Sequence, residues 1–374
     1  MPPPVDTNPS QLIQTVLLCG LALGIAFGAL AQATRFCTMG AIADVVNFGD
    51  ATRLRTWVWA ALVALVGTQA LIGLGGVDLS ASIYTGRRLS WLAQGLGGLA
   101  FGFGMVLASG CASRALVRAG GGSLKALVVL LVVGFAAQMT LRGAFALPRV
   151  EWLDPVGPLL AGPQDLPSWL SRVVDLPLPW LRAALCVLLA VPLLLWLRRS
   201  RDFLQPGPLL GGLAIGALIV AAWFVTGSLG HLSEHPETLE PAWLATHSRR
   251  PEALSFVAPT AYTLDLLTLW SDRGTVLSFG ITTVLGTLLG AAATALLRRE
   301  FRWEGFRDVR DTAQHLVGAV LMGVGGVTAL GCSIGQGLSG LSLLSAGSFI
   351  AVAGIVAGAV AALRYQAWVI EREA

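Results

Sequence analysis

Residues 323–340 read GVGGVTALGCSIGQGLSG, a glycine-rich apolar run interrupted by a cysteine. Residues 102–116, GFGMVLASGCASRAL, repeat its spacing 221 residues earlier. In both copies glycines stand nine, seven and one residues before the cysteine: Gly102, Gly104 and Gly110 before Cys111, and Gly323, Gly325 and Gly331 before Cys332. The identical spacing indicates an internal duplication that fixes a thiol at the same place in each copy.

The surroundings of the second copy are typical of a membrane protein. The 52 residues 312–363 contain no Asp, Glu, Lys or Arg, whereas one crossing of the hydrocarbon core takes about 20 helical residues. Cys332 is therefore expected between two spans, in glycine-rich backbone. Irregular backbone at membrane depth is tolerated only where it is buried in protein or lines a cavity. We therefore expect a cavity at Cys332.

Composition supports the same class. Apolar residues make up 55% of the chain and charged residues 12%, whereas soluble domains carry about a quarter charged residues. Hydropathy predicts an all-α polytopic membrane protein with about nine transmembrane helices, near 11–33, 54–76, 90–109, 123–142, 180–197, 209–229, 275–298, 311–331 and 346–365. The first ten residues lack the basic region of a cleavable signal peptide, so the first span is expected to be retained.

A second internal match extends the duplication. Residues 24–38 align without gaps on residues 212–226, with eight identities in fifteen positions. An odd span between the two copies would turn the second upside down, as in the inverted repeats of secondary transporters. The predicted organisation is a single transmembrane domain, 1–374, divided into repeat one (11–142), a connector with an extra span (143–208) and repeat two (209–366). Segments 145–178 and 231–272 are expected to be polar connectors.

The basic residues predict the orientation. Sixteen of the 25 lysines and arginines fall on one side of the predicted spans, and the more basic side is normally cytoplasmic. We therefore expect a multi-pass protein of the bacterial inner membrane, with the amino terminus outside and the carboxyl terminus in the cytoplasm. The chain has no nucleotide-binding loop, so ATP-driven uptake by this chain alone is not expected.

Three of the five cysteines lie at the turning points of the repeats: Cys37, Cys111 and Cys332. Small residues that permit close helix packing are the simplest alternative explanation. A disulfide framework is weakly supported, because there is no C-x-x-C pair, and no metal site or cofactor is expected. Cys19 and Cys186 fall inside uniform apolar spans and are assigned no role.

Isolated thiols in a pore favour a particular class of substrate. A thiol is a weak donor and a soft acceptor, and helices beginning after the cysteines would point free N–H groups at an anion. Together these features indicate a sulfur-containing anion. The remaining candidate pathway residues either flank the thiols or carry polar groups near them: Gly110, Gly331, Arg35, Ser333 and Gln336.

At these motifs, and at RFCTMGAIAD (35–44), the chain resembles the YeeE/YedE sulfur-transport family, whose best-understood members are thiosulfate transporters. The resemblance covers the membrane region and implies an hourglass-like inverted repeat with short re-entrant helices. It implies that Cys37, Cys111 and Cys332 relay thiosulfate through transient hydrogen bonds, with Cys332 toward the periplasm and Cys37 toward the cytoplasm. Some members of that family are linked to a small cytoplasmic sulfur-carrier protein, and any such partner of this chain is expected to be a separate protein.

The expected function is thus import of thiosulfate across the bilayer, without enzymatic activity and without a nucleic-acid partner. Two alternatives remain open from the residues. The first is transport of another sulfur or selenium compound through the same pore. The second is a membrane thiol enzyme that passes sulfur to a cytoplasmic carrier, which would require a reactive cysteine and a covalent intermediate.

Overall fold

The computed structural model describes residues 9–174, 176–234, 239–272 and 274–373. The chain is almost entirely helical, with α1 (Pro9–Thr34), α2 (Thr38–Phe48), α3 (Thr52–Gly73), α4 (Trp91–Leu107), α5 (Ala112–Gly120), α6 (Leu124–Leu141), α7 (Ala146–Pro148), α8 (Leu166–Leu170), α9 (Leu178–Arg198), α10 (Pro206–Phe224), α11 (Val257–Thr268), α12 (Phe279–Leu297), α13 (Val309–Thr328) and α14 (Ala346–Glu373). A 3-10 turn covers Ile83–Thr85, and π-helical turns cover Arg149–Leu153, Val225–Leu229 and Gly335–Gly340. Two short antiparallel strands, β1 (His231–Leu232) and β2 (Ala242–Trp243), form a hairpin.

The prediction of an all-α polytopic membrane protein is confirmed. Within the described ranges, eight helical segments are long and apolar enough to cross a membrane. The remaining predicted span, 311–331, corresponds to α13, which has 20 residues. Its first two turns carry Arg310, Asp311 and His315, so α13 is less apolar than the other long helices.

The long helices pair in a regular pattern. α1 packs against α12 while α3 packs against α10, and α4 packs against α14 while α6 packs against α13. α4 also crosses α13. α9, which covers the predicted extra span, packs mainly against α3 and the short α8 and leaves most of its surface exposed.

Glycines allow α4 and α13 to cross closely. A Cβ atom added at Gly104 would lie 2.6 Å from the carbonyl oxygen of Gly318, and one added at Gly318 would lie 2.6 Å from that of Gly104. Gly97 and Gly325 approach each other in the same reciprocal way, with corresponding distances of 2.8 and 2.6 Å. Small residues of this kind let helix backbones approach in membrane bundles.

Three helices end in the same way. Arg35 follows α1 with a φ of 53°, Ser109 follows α4 with a φ of 55°, and Leu330 follows α13 with a φ of 59°. A residue in the left-handed region after the last helical turn stops a helix and redirects the chain. In each case a cysteine follows two residues later.

Candidate functional site

The three cysteines at these helix ends share one local environment. Cys37 caps the amino end of α2, and its sulfur accepts a hydrogen bond from the Gly40 N–H at 3.4 Å. The Cys332 sulfur accepts from the Gly335 N–H at the same distance, just before the π-helical turn. Cys111 precedes α5. Each thiol therefore lies at the start of a short helical segment, where backbone N–H groups are left without intrahelical partners.

The fold brings these positions together. The Cys37 thiol lies next to the Cys111 thiol, and the Ser333 hydroxyl approaches Cys111 from another side. The Cys111 sulfur is also 3.2 Å from the Ser113 hydroxyl oxygen. Ser333 directly follows Cys332, and the Cys332 and Cys111 thiols interact electrostatically. Cys111 therefore neighbours both other cysteines, and we call the three the row of thiols. Cys111 and Cys332 are buried, with exposed fractions of 1% and 0%.

Cys37 faces a cavity of about 680 Å³, which we call the arginine cavity. Six arginines and one glutamate are among its lining residues, which are Gln32, Arg35, Cys37, Met39, Gly40, Arg53, Ser109, Arg114, Arg118, Arg299, Glu300 and Arg302. Clustered positive charge in a concave site focuses the field and attracts anions. The arginine cavity is therefore suited to an anion and unfavourable for a cation.

Arg114 differs from two of its neighbours in this cavity. Arg53 pairs with Asp44 at 3.2 Å, and Arg118 pairs with Glu304 at 3.1 Å. Arg114 forms no ion pair within the described part of the chain, and its buried Nη1 atom has no hydrogen-bond partner there. A buried guanidinium without a partner is costly.

A second cavity, of about 190 Å³, lies near Cys332, and we call it the tyrosine cavity. Its lining consists of Ile83, Tyr84, Leu141, Arg149, Ser248, Glu252, Ala253, Ser255, Ala258, Pro259, Tyr262, Gly280, Gly326, Val327, Leu330 and Gly331. The Ser255 hydroxyl oxygen is 4.0 Å from the Cys332 sulfur. The tyrosine cavity therefore approaches the row of thiols at the end opposite to Cys37.

The two cavities lie at opposite ends of the helices. Gly280, at the start of α12, lines the tyrosine cavity, and Arg299, just after its end, lines the arginine cavity. At 1.5 Å per residue, the 19 residues of α12 span about 28 Å. This separation is close to the thickness of the hydrocarbon core, about 30 Å.

The remaining predicted residues lie along the same row. Arg35 lines the arginine cavity and Gly331 the tyrosine cavity. Gly110 has a φ of 156°, and a Cβ atom there would lie 3.1 Å from Cγ of Arg114. The Gln336 side-chain amide donates to the Ala329 carbonyl, while its Oε1 atom is buried without a partner among the described residues. The Ser333 oxygen is likewise without a partner of good geometry there.

Sequence reasoning missed Tyr84, Ser255 and Glu252. Each lies in a connecting segment between the predicted spans, and no spacing relates these segments to the Gly-Cys motifs. Segment 231–272, predicted to be a polar connector, instead supplies much of the wall of the tyrosine cavity. The concentration of polar residues in that segment was the one available signal.

Comparison with known proteins identifies sequences related to this chain. The sulphur transport family model matches residues 33–361. The chain is 28% identical to the thiosulfate transporter TsuA of Spirochaeta thermophila over 343 residues, covering 89% of this chain and 93% of that protein. It is 26% identical to the thiosulfate transporter TsuA of Escherichia coli over 345 residues, covering 87% of each. These matches confirm the predicted resemblance and favour a transporter over an enzyme; the chain belongs to the sulphur transport family.

Proposed function

We propose that the chain imports thiosulfate across the bacterial inner membrane along a path that passes Cys332, Cys111 and Cys37. The observation that carries the proposal is the row of thiols with a cavity at each end. Two relatives named as thiosulfate transporters support the substrate. Gly110, Gly331, Arg35, Ser333 and Gln336 would line or shape the path.

The chemistry of the row suits a sulfur anion. Neutral thiols can donate a weak hydrogen bond to the terminal sulfur and do not repel the negative charge. Buried polar atoms of Ser333, Gln336 and Arg114 are without partners in the described part of the chain, and they would meet the oxygens of the anion. Transient contacts with several such groups favour passage over tight binding.

The helix pairing supports an inverted repeat. The duplication relates Gly97 to Gly318 and Gly104 to Gly325, each by 221 residues. In the fold, Gly104 contacts Gly318 and Gly97 contacts Gly325. Replacing both glycines of the first contact by their equivalents in the other repeat therefore gives the second contact. This exchange is what a two-fold axis produces. We propose that repeats 11–142 and 209–366 are related by such an axis, with short re-entrant helices at the cysteines and an hourglass-like shape.

The charges of the two cavities support the proposed orientation. Six arginines line the arginine cavity and one lines the tyrosine cavity, and positive charge is normally enriched on the cytoplasmic side. We therefore propose that the arginine cavity faces the cytoplasm, with the amino terminus outside the cell and the carboxyl terminus inside. A separate cytoplasmic sulfur carrier that receives the anion remains a prediction from the resemblance.

Uptake of sulfur-labelled thiosulfate tests this function. Cells that lack other routes for thiosulfate would express the wild type, the Cys111→Ala variant or the Cys186→Ala variant. Cys186 lies on α9, away from the row of thiols, and serves as the matched control. We expect accumulation with the wild type and with Cys186→Ala, and loss with Cys111→Ala at equal membrane expression. Unchanged transport by Cys111→Ala would contradict the thiol pathway.

If the wild type does not accumulate thiosulfate, the substrate assignment is wrong and other sulfur or selenium anions become the candidates.

A second function has one specific observation in its favour, because adjacent Cys37 and Cys111 thiols are placed to exchange sulfur. A membrane thiol enzyme would carry a persulfide or a disulfide after turnover. Mass spectrometry of the protein during uptake would then show added sulfur or the loss of two hydrogens, whereas a transporter leaves both thiols unmodified.

A further inference from the structure

The tyrosine cavity contains a carboxyl group, that of Glu252, which the thiol pathway does not explain. The backbone of Glu252 is fixed by Thr226, whose hydroxyl accepts from the Glu252 N–H at 3.1 Å and donates to the Glu252 carbonyl. One carboxyl oxygen, Oε1, accepts a hydrogen bond from the Ser248 N–H at 2.8 Å. Glu252 is therefore held in place by residues that are not themselves charged.

The charged groups around Glu252 are engaged elsewhere. Arg149 pairs with Asp154 at 3.6 Å, and Arg142 contacts the His247 ring at 3.0 Å. Asp265 accepts from the Gln138 side chain at 2.6 Å.

Tyr84, Tyr262 and Arg149 are the other titratable groups that line the cavity, and the walls from α12 and α13 contribute Gly280, Gly326, Val327, Leu330 and Gly331. No residue of the described ranges forms an ion pair with Glu252.

Burial shifts the titration of these groups in one direction. Loss of water raises the pKa of the Glu252 carboxyl above its usual value. It raises the pKa of Tyr84, and it raises the pKa of Tyr262 to about 12. The neutral forms of all three groups are favoured, and in those forms each has a hydroxyl that donates a hydrogen bond.

Ionisation of Glu252 would place a negative charge in the cavity, which the Arg149 cation also lines. Ionised Glu252 repels an anion across a space of about 190 Å³, which is about six times the volume of one liquid water molecule. Protonated Glu252 instead adds one more donor to those of Tyr84, Tyr262 and Ser255, all of which line the same space. Ser255 connects this space to Cys332, because the Ser255 hydroxyl oxygen lies 4.0 Å from the Cys332 sulfur.

We propose that the tyrosine cavity is the first binding station for the sulfur anion and accepts it only when Glu252 is protonated. The inference rests on the proposed import function, to which it adds a dependence on external pH and a binding residue. A carboxylic acid kept neutral by its surroundings can donate a hydrogen bond to an oxyanion. Acidification outside the cell would therefore raise the affinity for the anion.

The first test measures the KM for thiosulfate uptake between about pH 5 and about pH 8. The wild type, Glu252→Gln and Glu151→Gln are compared; Glu151 is an exposed carboxylate of the adjacent Arg149–Leu153 turn that does not line the cavity. Above the pKa of Glu252 the protonated fraction falls about tenfold per pH unit. We expect the KM of the wild type and of Glu151→Gln to rise with pH and that of Glu252→Gln, a neutral donor at every pH, to change less than about twofold.

A KM for Glu252→Gln that rises with pH as steeply as in the wild type would overturn the proposal. Loss of uptake by Glu252→Gln at every pH, in protein that elutes as a single species on gel filtration, would overturn it as well. A wild-type KM that does not vary with pH would have the same consequence. Uptake itself would persist in that last case, so the import function would stand without this inference.

The second test does not depend on transport. In an Ala258→Cys variant the introduced thiol would face the tyrosine cavity, because Ala258 lines it. Modification at position 258 by an anionic and by an uncharged methanethiosulfonate reagent is followed by peptide mass spectrometry. The rate with the anionic reagent is divided by the rate with the uncharged reagent. This ratio does not depend on the ionisation of the introduced thiol and therefore reports the charge of the cavity.

We expect this ratio to rise as the pH falls, and to stay constant when Glu252→Gln is added. A ratio that does not depend on pH in the Ala258→Cys variant would overturn the proposal, even if thiosulfate proved to be the wrong substrate. If the ratio rises as the pH falls but the cells take up no thiosulfate, the binding station for an anion is supported. Only the assignment of thiosulfate as the substrate is then contradicted.

Discussion

The Ser255 hydroxyl oxygen lies 4.0 Å from the Cys332 sulfur, where the tyrosine cavity meets the row of thiols. Ser255 precedes α11 and Cys332 follows α13, so two parts of the chain 77 residues apart form this contact. The contact gives an anion in the cavity a hydroxyl donor next to the first thiol. It makes Ser255 a candidate for the transfer of substrate from cavity to thiol.

Replacing Ser255 by alanine removes that donor. Because a hydrogen bond between neutral groups contributes about 0.5–1.5 kcal/mol, we expect Ser255→Ala to raise the KM for thiosulfate about twofold to tenfold. The matched control is Ser233→Ala, since Ser233 is exposed near the hairpin. A KM equal to that of the control would show that Ser255 does not contact the substrate.

Arg114 is expected to bind the anion at the other end of the row. Its buried Nη1 atom has no partner among the described residues, and a hydrogen bond to a charged group contributes about 1.5–3 kcal/mol. We therefore expect Arg114→Gln to lower thiosulfate uptake at subsaturating concentration by about tenfold or more. Arg201→Gln, which removes an exposed arginine outside the arginine cavity, controls for the lost positive charge. Equal uptake by the two variants would contradict a specific role for Arg114.

The crossing of α4 and α13 should not tolerate a larger residue. A methyl group at Gly104 would lie 2.6 Å from the Gly318 carbonyl oxygen, and overpacking of this kind costs about 1–3 kcal/mol. We expect Gly104→Ala to lower the midpoint temperature of unfolding of the detergent-solubilised protein. Gel filtration of samples heated to a series of temperatures measures this midpoint. Gly73→Ala is the control, because a Cβ atom there would meet nothing within 4 Å. Equal midpoints for the two variants would contradict the close approach.

The Arg118–Glu304 pair predicts a pH-dependent contribution to stability. Partial burial raises the pKa of Glu304, but the hydrogen bonds and charge of Arg118, with smaller contributions from Ser123 and Lys125, outweigh this effect, so its pKa lies below the usual value. A carboxyl with a lowered pKa in the folded state stabilises the fold above its unfolded pKa of about 4.3 and loses that contribution as the pH falls through the folded pKa. Since Glu304 is 49% exposed, we expect the contribution to stay below about 1 kcal/mol.

Thermal unfolding of the wild type and of Glu304→Gln at about pH 7 and about pH 3 measures this contribution. At the higher pH the wild type should be more stable than Glu304→Gln. The difference in stability between the two proteins should be smaller at the lower pH. In an Arg118→Gln background, Glu304→Gln should have little effect at either pH. A difference that is independent of pH would show that the charge of Glu304 is not what stabilises the contact.

Much of the fold follows from hydropathy. Each predicted span coincides with one of the long helices, because a chain in the bilayer must satisfy its backbone hydrogen bonds within each segment. The weakest agreement is at α13, whose first turns carry charges. Lys125 pairs with Asp311 at 3.0 Å and Asp311 with His315 at 3.1 Å, so the fold supplies partners that a hydropathy profile does not register.

The candidate site was only partly accessible to sequence reasoning. The thiols were found because the duplication marks Cys111 and Cys332 by spacing and Cys37 by position. The turns that present them depend on Arg35, Ser109 and Leu330 in the left-handed region, a conformation uncommon for residues other than glycine. Backbone hydrogen bonds across each helix end close these turns, from Phe36 to Ala31, from Gly110 to Met105 and from Gly331 to Gly326. No glycine occupies the left-handed position itself, so the sequence does not mark it.

The sequence by itself determined the class of the protein and its long helices, and its repeated spacing marked the three thiols, because these depend on the solvation of short segments and on spacing along the chain. The tertiary structure alone decided that Cys37 lies beside Cys111, that Arg114 Nη1 has no partner among the described residues and that Glu252 lines the same cavity as Ser255, which neighbours Cys332. Those relationships join residues far apart in the chain. Side-chain packing and desolvation, which arise only when the helices assemble, bring them into contact and set their charges.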